Sequence, residues 1–247
     1  MYLNNKRRGD YGFDGNMRGV AGMVSLALAL PVVAFFCARA DQLAAASAAA
    51  AIALLLWSTL VIYVHTTRRG KFQVWSEILD ALALRGDERV LDVGCGRGAV
   101  LTMVARRVPN SRVTGLDIWS AADQSGNAID VTRKNLAAEE VSATLITGDM
   151  RAMPLQTGSF DLVVSSLAIH NVVARADREQ ALKEIVRVLA PGGRVAIADL
   201  AFTADHARTL TALGLVDVKR RGLGWRLWWG PGYPATALIT ASKPAAP

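Results

Sequence analysis

Hydrophobic and polar residues follow two regimes along this 247-residue chain. From Val20 to Ala38, and again from Leu43 to Val64, no charged side chain occurs. Each run is long enough to cross a hydrocarbon layer of ~30 Å as a helix. Arg39-Ala40-Asp41-Gln42 between them suffices only for a tight turn. The pattern predicts a transmembrane helical hairpin over 20–64, preceded by a juxtamembrane segment (1–19) and followed by a separate domain (65–247). Lys6, Arg7, Arg8 and Arg18 precede the first run, and Arg68, Arg69 and Lys71 follow the second. Positive residues stay on the cytoplasmic side, so both outer ends, and the domain with them, are expected in the cytoplasm. Small residues such as Ala46, Ser47 and Ala50 allow close helix approach and would also allow self-association through the hairpin. Pro31 would kink the first helix, which a membrane span tolerates. Two readings compete: a cleaved signal peptide with Ala38-Arg39-Ala40 as its small-residue site, disfavoured because a second, longer span follows at once, and a buried soluble helical hairpin, disfavoured because two uncharged runs of this length are rare in soluble folds.

The period changes at Phe72. Phe72, Trp75, Ile78, Leu79 and Leu82 recur at helical spacing and predict a helix over 72–84. Apolar runs then alternate with amphipathic stretches. Strands are expected at 89–93, 112–116, 144–147, 160–165, 194–198, 216–220 and 235–241, with helices at 99–107, 127–140, 178–189 and 205–213. Such alternation defines an α/β, Rossmann-like domain with a seven-stranded, mostly parallel sheet. No helix separates the last two strands, so an antiparallel pairing is expected at one edge.

Composition adds little beyond this. Hydrophobic residues make up 52% of the chain and the formal net charge is +7. The apolar excess lies in the two runs. The basic balance is compatible with nucleic acid, with an anionic membrane surface, or with no specific partner. No nucleic-acid module is legible, and Lys219-Arg220-Arg221 is too short to imply one. Cys37 and Cys95 lack metal-ligand spacing, so neither a metal site nor a disulfide framework is expected.

Ligands of such sheets bind beyond the carboxyl ends of the strands. The first strand runs into Asp92-x-Gly94-Cys95-Gly96-Arg97-Gly98, the second ends at Asp117 in "VTGLDIWS", and the third meets Gly148-Asp149-Met150. The fourth is "FDLVVSSLAIHNV" and the fifth is introduced by "VLAPGGRVAIADL". Glycines without Cβ atoms let the backbone come close to a ligand. The loop alone leaves that ligand open. Gly94-x-Gly96-x-x-Ala99, with Asp117 about twenty residues on, also fits a dinucleotide fingerprint.

Taken together and in this order, the five strand-end motifs resemble the class I S-adenosylmethionine-dependent methyltransferases, in particular those acting on small molecules and lipids. The resemblance covers about 72–243. Its "GDM" and "PGG" elements have no place in the dinucleotide pattern. It implies S-adenosyl-L-methionine as cofactor. Gly94, Gly96 and Gly98 would approach its amino-acid part, and Asp92 would position water or the loop, or attract the ammonium. Asp117 would accept the ribose hydroxyls, and Ile118 or Trp119 would pack on the adenine. Asp149 and the Met150 N–H would meet the adenine edge, with Ser165 and Ser166 ending the fourth strand below the methyl donor. His170 is the candidate general base and Asp199 a second. The hairpin points to a lipid or other hydrophobic small-molecule acceptor. A soluble or volatile acceptor (a thiol or an amine), or a non-enzymatic binding module, is the alternative. Two further segments invite a role: the aromatic "LGWRLWWGPGYP", as a pocket wall or a foot on the bilayer, and the N-terminal "DYGFDGN", as a lid.

Overall fold

A computed structural model describes residues 7–15, 17–109, 112–231 and 233–245. Lys6 and the first residues of the N-terminal segment lie outside these. The two uncharged runs form helices α1 (Met17–Arg39) and α2 (Leu43–His65), each of 23 residues. At 1.5 Å per residue each is about 35 Å long. The turn between them is closed by Asp41 in the left-handed region, φ 58°. The Trp57 indole N–H donates to the Ala27 carbonyl across the pair at 3.1 Å. Phe36, Leu54 and Val61 point outward and are exposed. Among the described residues these two helices are long and apolar enough to cross a membrane.

The second helix does not stop at the expected boundary. It continues through one π turn (Thr66–Gly70) into α3 (Lys71–Ala81) without a linker. A π turn is a local widening of the helix and recurs at functional places. Here Gly70 lies against the chain at Arg226. A Cβ on Gly70 would stand 1.7 Å from the Arg226 carbonyl oxygen, so glycine is required. The Thr66 hydroxyl donates to the Trp228 carbonyl at 2.5 Å in the same contact. The hairpin is thereby fused to the α/β domain.

That domain comprises β1 (Val90–Val93), α4 (Ala99–Ala105), β2 (Val113–Asp117), α5 (Ile129–Ala138), β3 (Thr144–Thr147), β4 (Phe160–Ser166), α6 (Arg175–Val188), β5 (Leu189–Asp199), α7 (Thr203–Ala212), β6 (Val216–Gly222) and β7 (Ala237–Ser242). The sheet order is β3-β2-β1-β4-β5-β7-β6. All neighbours are parallel except at β7, which runs antiparallel to both β5 and β6. The antiparallel strand thus stands one place in from the edge, with β6 outside it. Exposed Lys219, Arg220 and Arg221 on β6 discourage a further strand from adding there.

The central stretches of β1, β4 and β5 are largely apolar and buried because helices cover both faces of the sheet. One face packs Val90, Leu162 and Val164 against Trp75, Ile78, Leu101 and Val104 of α3 and α4. The other packs Leu91, Val163 and Val195 against Leu182, Ile185 and Leu210 of α6 and α7. β5 begins earlier than the apolar pattern predicts, because Leu189 pairs with Phe160 before a shift in register. Residues 7–15 lie across α4 and α5. Glu139 anchors them, its carboxylate accepting the Arg8 N–H at 3.0 Å, the Gly9 N–H at 2.9 Å and the Tyr11 hydroxyl at 3.0 Å.

Candidate active site

The carboxyl ends of β1, β2 and β4 and the root of the hairpin enclose a cavity of ≈ 790 Å³. Ligand pockets span roughly 300–1,000 Å³, so this one is large. Its floor is the glycine loop. Gly94 has φ 71°, and a Cβ there would lie 2.2 Å from the Ala168 Cβ. The loop and the end of β4 therefore approach as closely as only glycine permits. Gly96 also lines the cavity, whereas Gly98 caps α4 and shapes the loop from behind.

Two buried carboxylates flank this floor. Asp117 accepts the Gly96 N–H at 2.7 Å on one oxygen. Its other oxygen accepts the Trp119 N–H at 2.6 Å and the Asn127 amide at 3.2 Å. It thus pins the loop while facing the cavity. A carboxylate has about four acceptor positions, so it can take a further hydroxyl. Asp92 also lines the cavity, yet neither of its oxygens has a hydrogen-bond partner. The nearby Leu101 N–H falls outside bonding geometry. Burial, and then the charge of Asp117, push the Asp92 carboxyl up to about 8. An unpartnered buried acid is complementary to a cationic or hydrogen-donating group of a ligand. The ammonium of S-adenosylmethionine is such a group, so the residues present fit this cofactor.

The remaining cofactor candidates divide. Ile118 is exposed and lines the cavity, as do Asp149 and Met150. Asp149 is also held by Arg151, whose backbone and guanidinium N–H groups it accepts at 2.6–3.0 Å. Arg151 keeps that carboxyl below its ordinary range. Trp119 corrects the expectation for an aromatic adenine wall. Its left-handed backbone, φ 61°, swings the ring to β3, where the indole donates to the Thr147 hydroxyl at 2.8 Å. Ile118 is left facing the cavity. Ser165 is a second correction. Its hydroxyl donates to the Val93 carbonyl at 2.8 Å, buried between strands. Successive strand residues face opposite ways, so Ser166 lines the cavity instead, its hydroxyl accepting the Trp75 indole N–H at 2.8 Å.

His170 and Asp199, separate candidates in the sequence, form one unit. Asp199 is fully buried and does not line the cavity. It accepts the His170 backbone N–H at 3.0 Å and lies 2.6 Å from the imidazole Nδ1. The carboxylate assigns the proton to Nδ1, which leaves Nε2 as the basic atom. His170 itself lines the cavity. His206 is buried, with both ring nitrogens unpartnered, and burial depresses its basicity.

The aromatic loop walls the opposite end of the cavity, one of the two roles its sequence invited, while the helix residues that meet it there were not legible as part of a site. Tyr63, Phe72 and Trp75 from the continuous α2–α3 helix meet Trp229 and Tyr233 there. Among them Lys71 pairs with Asp14 at 2.9 Å, both lining the cavity. Lys71 stands four residues before Trp75, on the buried stripe, and that register was the available signal. Gln124 and Arg97 were also missed. Arg97 clamps Asp10 at 2.7 Å and the Ser125 carbonyl at 2.7 Å. Gln124 joins the Arg97 N–H at 2.9 Å to Asp14 at 3.2 Å. Residues 7–15 are thereby tied to the glycine loop.

Comparison with known proteins agrees with this geometry. Residues 90–193 match a family model described as a methyltransferase domain. The ubiquinone/menaquinone biosynthesis C-methyltransferase UbiE of Ruegeria sp. is 33% identical over 131 residues, 52% of this chain and 49% of that protein. The chloroplastic 2-phytyl-1,4-beta-naphthoquinone methyltransferase of Arabidopsis thaliana is 34% identical over 153 residues, 60% of this chain and 56% of that protein. The chain thus matches about half the length of these relatives. Among solved structures, phosphoethanolamine N-methyltransferase 2 of Haemonchus contortus, in complex with S-adenosyl-L-methionine, shares the fold. Its TM-score is 0.55 at 18% identity, over 69% of this chain and 53% of that one. Residues 90–193 thus resemble a methyltransferase domain, and the α/β domain has the fold of the S-adenosylmethionine-dependent methyltransferases.

Proposed function

We propose that the whole chain is a membrane-anchored methyltransferase that transfers a methyl group to a lipid or other hydrophobic small molecule. The observation that carries this reading is the position of the cavity. Its floor is the glycine loop, and its far wall is built by the aromatic root of an uncharged helical hairpin. The two named relatives act, by their names, on quinones, which are apolar ring compounds of the expected kind.

S-adenosylmethionine, when bound, supplies an electrophilic methyl group on a sulfonium. Gly94, Gly96, Asp92, Asp117, Ile118, Asp149 and Met150 are the residues that would hold it. The chain's own contribution is to hold the acceptor in line and to exclude water. Where the acceptor must lose a proton, His170 Nε2 takes it, and Asp199 holds the ring and stabilises the imidazolium. Phe72, Trp75 and Trp229 offer flat apolar surface to an acceptor ring, and the Lys71 ammonium can hold an oxygen on it.

The test uses the full chain in detergent with methyl-labelled S-adenosylmethionine. Total membrane lipid is offered in one incubation and cytosolic metabolites in another. Label entering the organic extract supports the reading, and label entering only aqueous products contradicts it.

A further inference from the structure

The loop between β6 and β7 does more than wall the cavity. It climbs the end of α2. Trp225 stacks on His65, with ring centroids 4.8 Å apart. The Trp228 carbonyl accepts the Thr66 hydroxyl at 2.5 Å. Further along, a Cβ on Gly230 would lie 3.0 Å from the Thr59 methyl. From Thr66 back to Thr59 is about two helical turns, roughly 10 Å. Thr59 lies inside the charge-free run 43–64, so the loop reaches alongside the segment read as membrane-spanning. It carries no charge from Leu227 to Ala235. The Trp228 indole donates to the Tyr233 carbonyl at 3.0 Å and closes the loop on itself.

The same loop forms the rim of the cavity. Trp229 is buried and Tyr233 is 43% exposed, and both line the cavity beside Tyr63 of α2. On the other side Gly15 lines it, just before α1 begins at Met17. Both domain-side ends of the hairpin therefore meet at this rim. Exposed Arg68 and Arg69 follow within a turn of Thr66, at the level where anionic headgroups would lie.

We propose that the loop bearing Trp228, Trp229 and Tyr233 beds in the bilayer interface and forms a membrane-facing mouth of the cavity, through which a lipid-phase acceptor enters. The proposal rests on the membrane reading above. Tryptophan and tyrosine favour the interfacial layer, where an apolar ring and a polar tip are both accommodated. The occupant of the loop's outer face is lipid rather than a second protein, because that face continues the uncharged surface of α2.

The experiment is photo-crosslinking of the full chain in phosphatidylcholine/phosphatidylglycerol vesicles. Tyr233→p-benzoylphenylalanine is the reporter, and the same change at exposed Pro234 is a second reporter should the first disturb the loop. The same change at Trp57 reports on the span. At Gln156, exposed beyond the opposite ends of the strands, it reports background. Each protein is first checked for S-adenosylmethionine binding, and adducts are read by intact mass. Phospholipid adducts at Trp57 and at Tyr233 or Pro234, several-fold above Gln156, are expected. Labelling at Trp57 with both loop positions at background overturns the proposed mouth alone, as do protein–protein adducts from the loop. Background at Trp57 as well overturns the membrane reading and the mouth with it.

Discussion

Asp92→Asn separates stability from cofactor binding. Asp92 is fully buried without a hydrogen-bond partner, and its carboxyl is pushed from 3.8 up to about 8 by burial and by Asp117. In the unfolded chain the same group ionises near 3.8. The unfolded state therefore binds fewer protons between these values, and stability falls as pH rises from about 4 toward 8. At pH 7 the gap is about three pH units, which at ~1.4 kcal/mol per unit is on the order of 4 kcal/mol. Asparagine cannot ionise and leaves a similar unpaired polar group, so it should recover much of this. For a chain of this size that is roughly 10 °C in Tm. The apo chain in detergent, wild type and Asp92→Asn, would be melted by intrinsic fluorescence at pH 5 and pH 8. The variant's advantage should be small at pH 5 and large at pH 8. S-adenosylmethionine should bind the variant more than tenfold more weakly, since a buried charged hydrogen bond contributes ~1.5–3 kcal/mol. Parallel melting shifts at the two pH values, with unchanged affinity, would refute the reasoning.

Three other substitutions probe the remaining parts. His170→Asn should leave cofactor affinity unchanged and slow label transfer to the acceptor by about 10²–10⁴-fold if a proton must leave. Asp199→Asn should slow transfer in the same way by releasing the tautomer, as read by single-turnover transfer to membrane lipid. Gly70→Ala sets a methyl 1.7 Å from the Arg226 carbonyl oxygen and must push the aromatic loop off the helix. A lower melting temperature is expected, with more rapid hydrogen exchange at residues 225–231; an unchanged melt would contradict the tight contact.

The sheet, its helices and the glycine loop were legible because each depends on local signals. Largely apolar strands, glycines at the turn and carboxylates at strand ends stand out in a single sequence. What escaped was tertiary. The unbroken passage from α2 through the π turn into α3 depends on Gly70 meeting the distant Arg226. Ser165 and Ser166 could not be told apart, since one step along a strand reverses the facing. Trp119 was misplaced because its positive φ is not visible in the residue type. The pairing of Lys71 with Asp14 crosses the whole hairpin and has no local pattern. Position brings His170 and Asp199 together at the ends of adjacent parallel strands, β4 and β5, which the motif order alone did not reveal.

The most direct measurement of the central claim is calorimetric titration of S-adenosylmethionine into the full chain and into Asp117→Ala. Asp117 holds the Gly96 and Trp119 N–H groups and faces the cavity. Its removal should both loosen the loop and delete a ligand acceptor. Saturable binding by the wild type, weakened at least tenfold, or ~1.4 kcal/mol, in Asp117→Ala, is the predicted result. No binding by a folded wild type, or equal binding by both proteins, would contradict it.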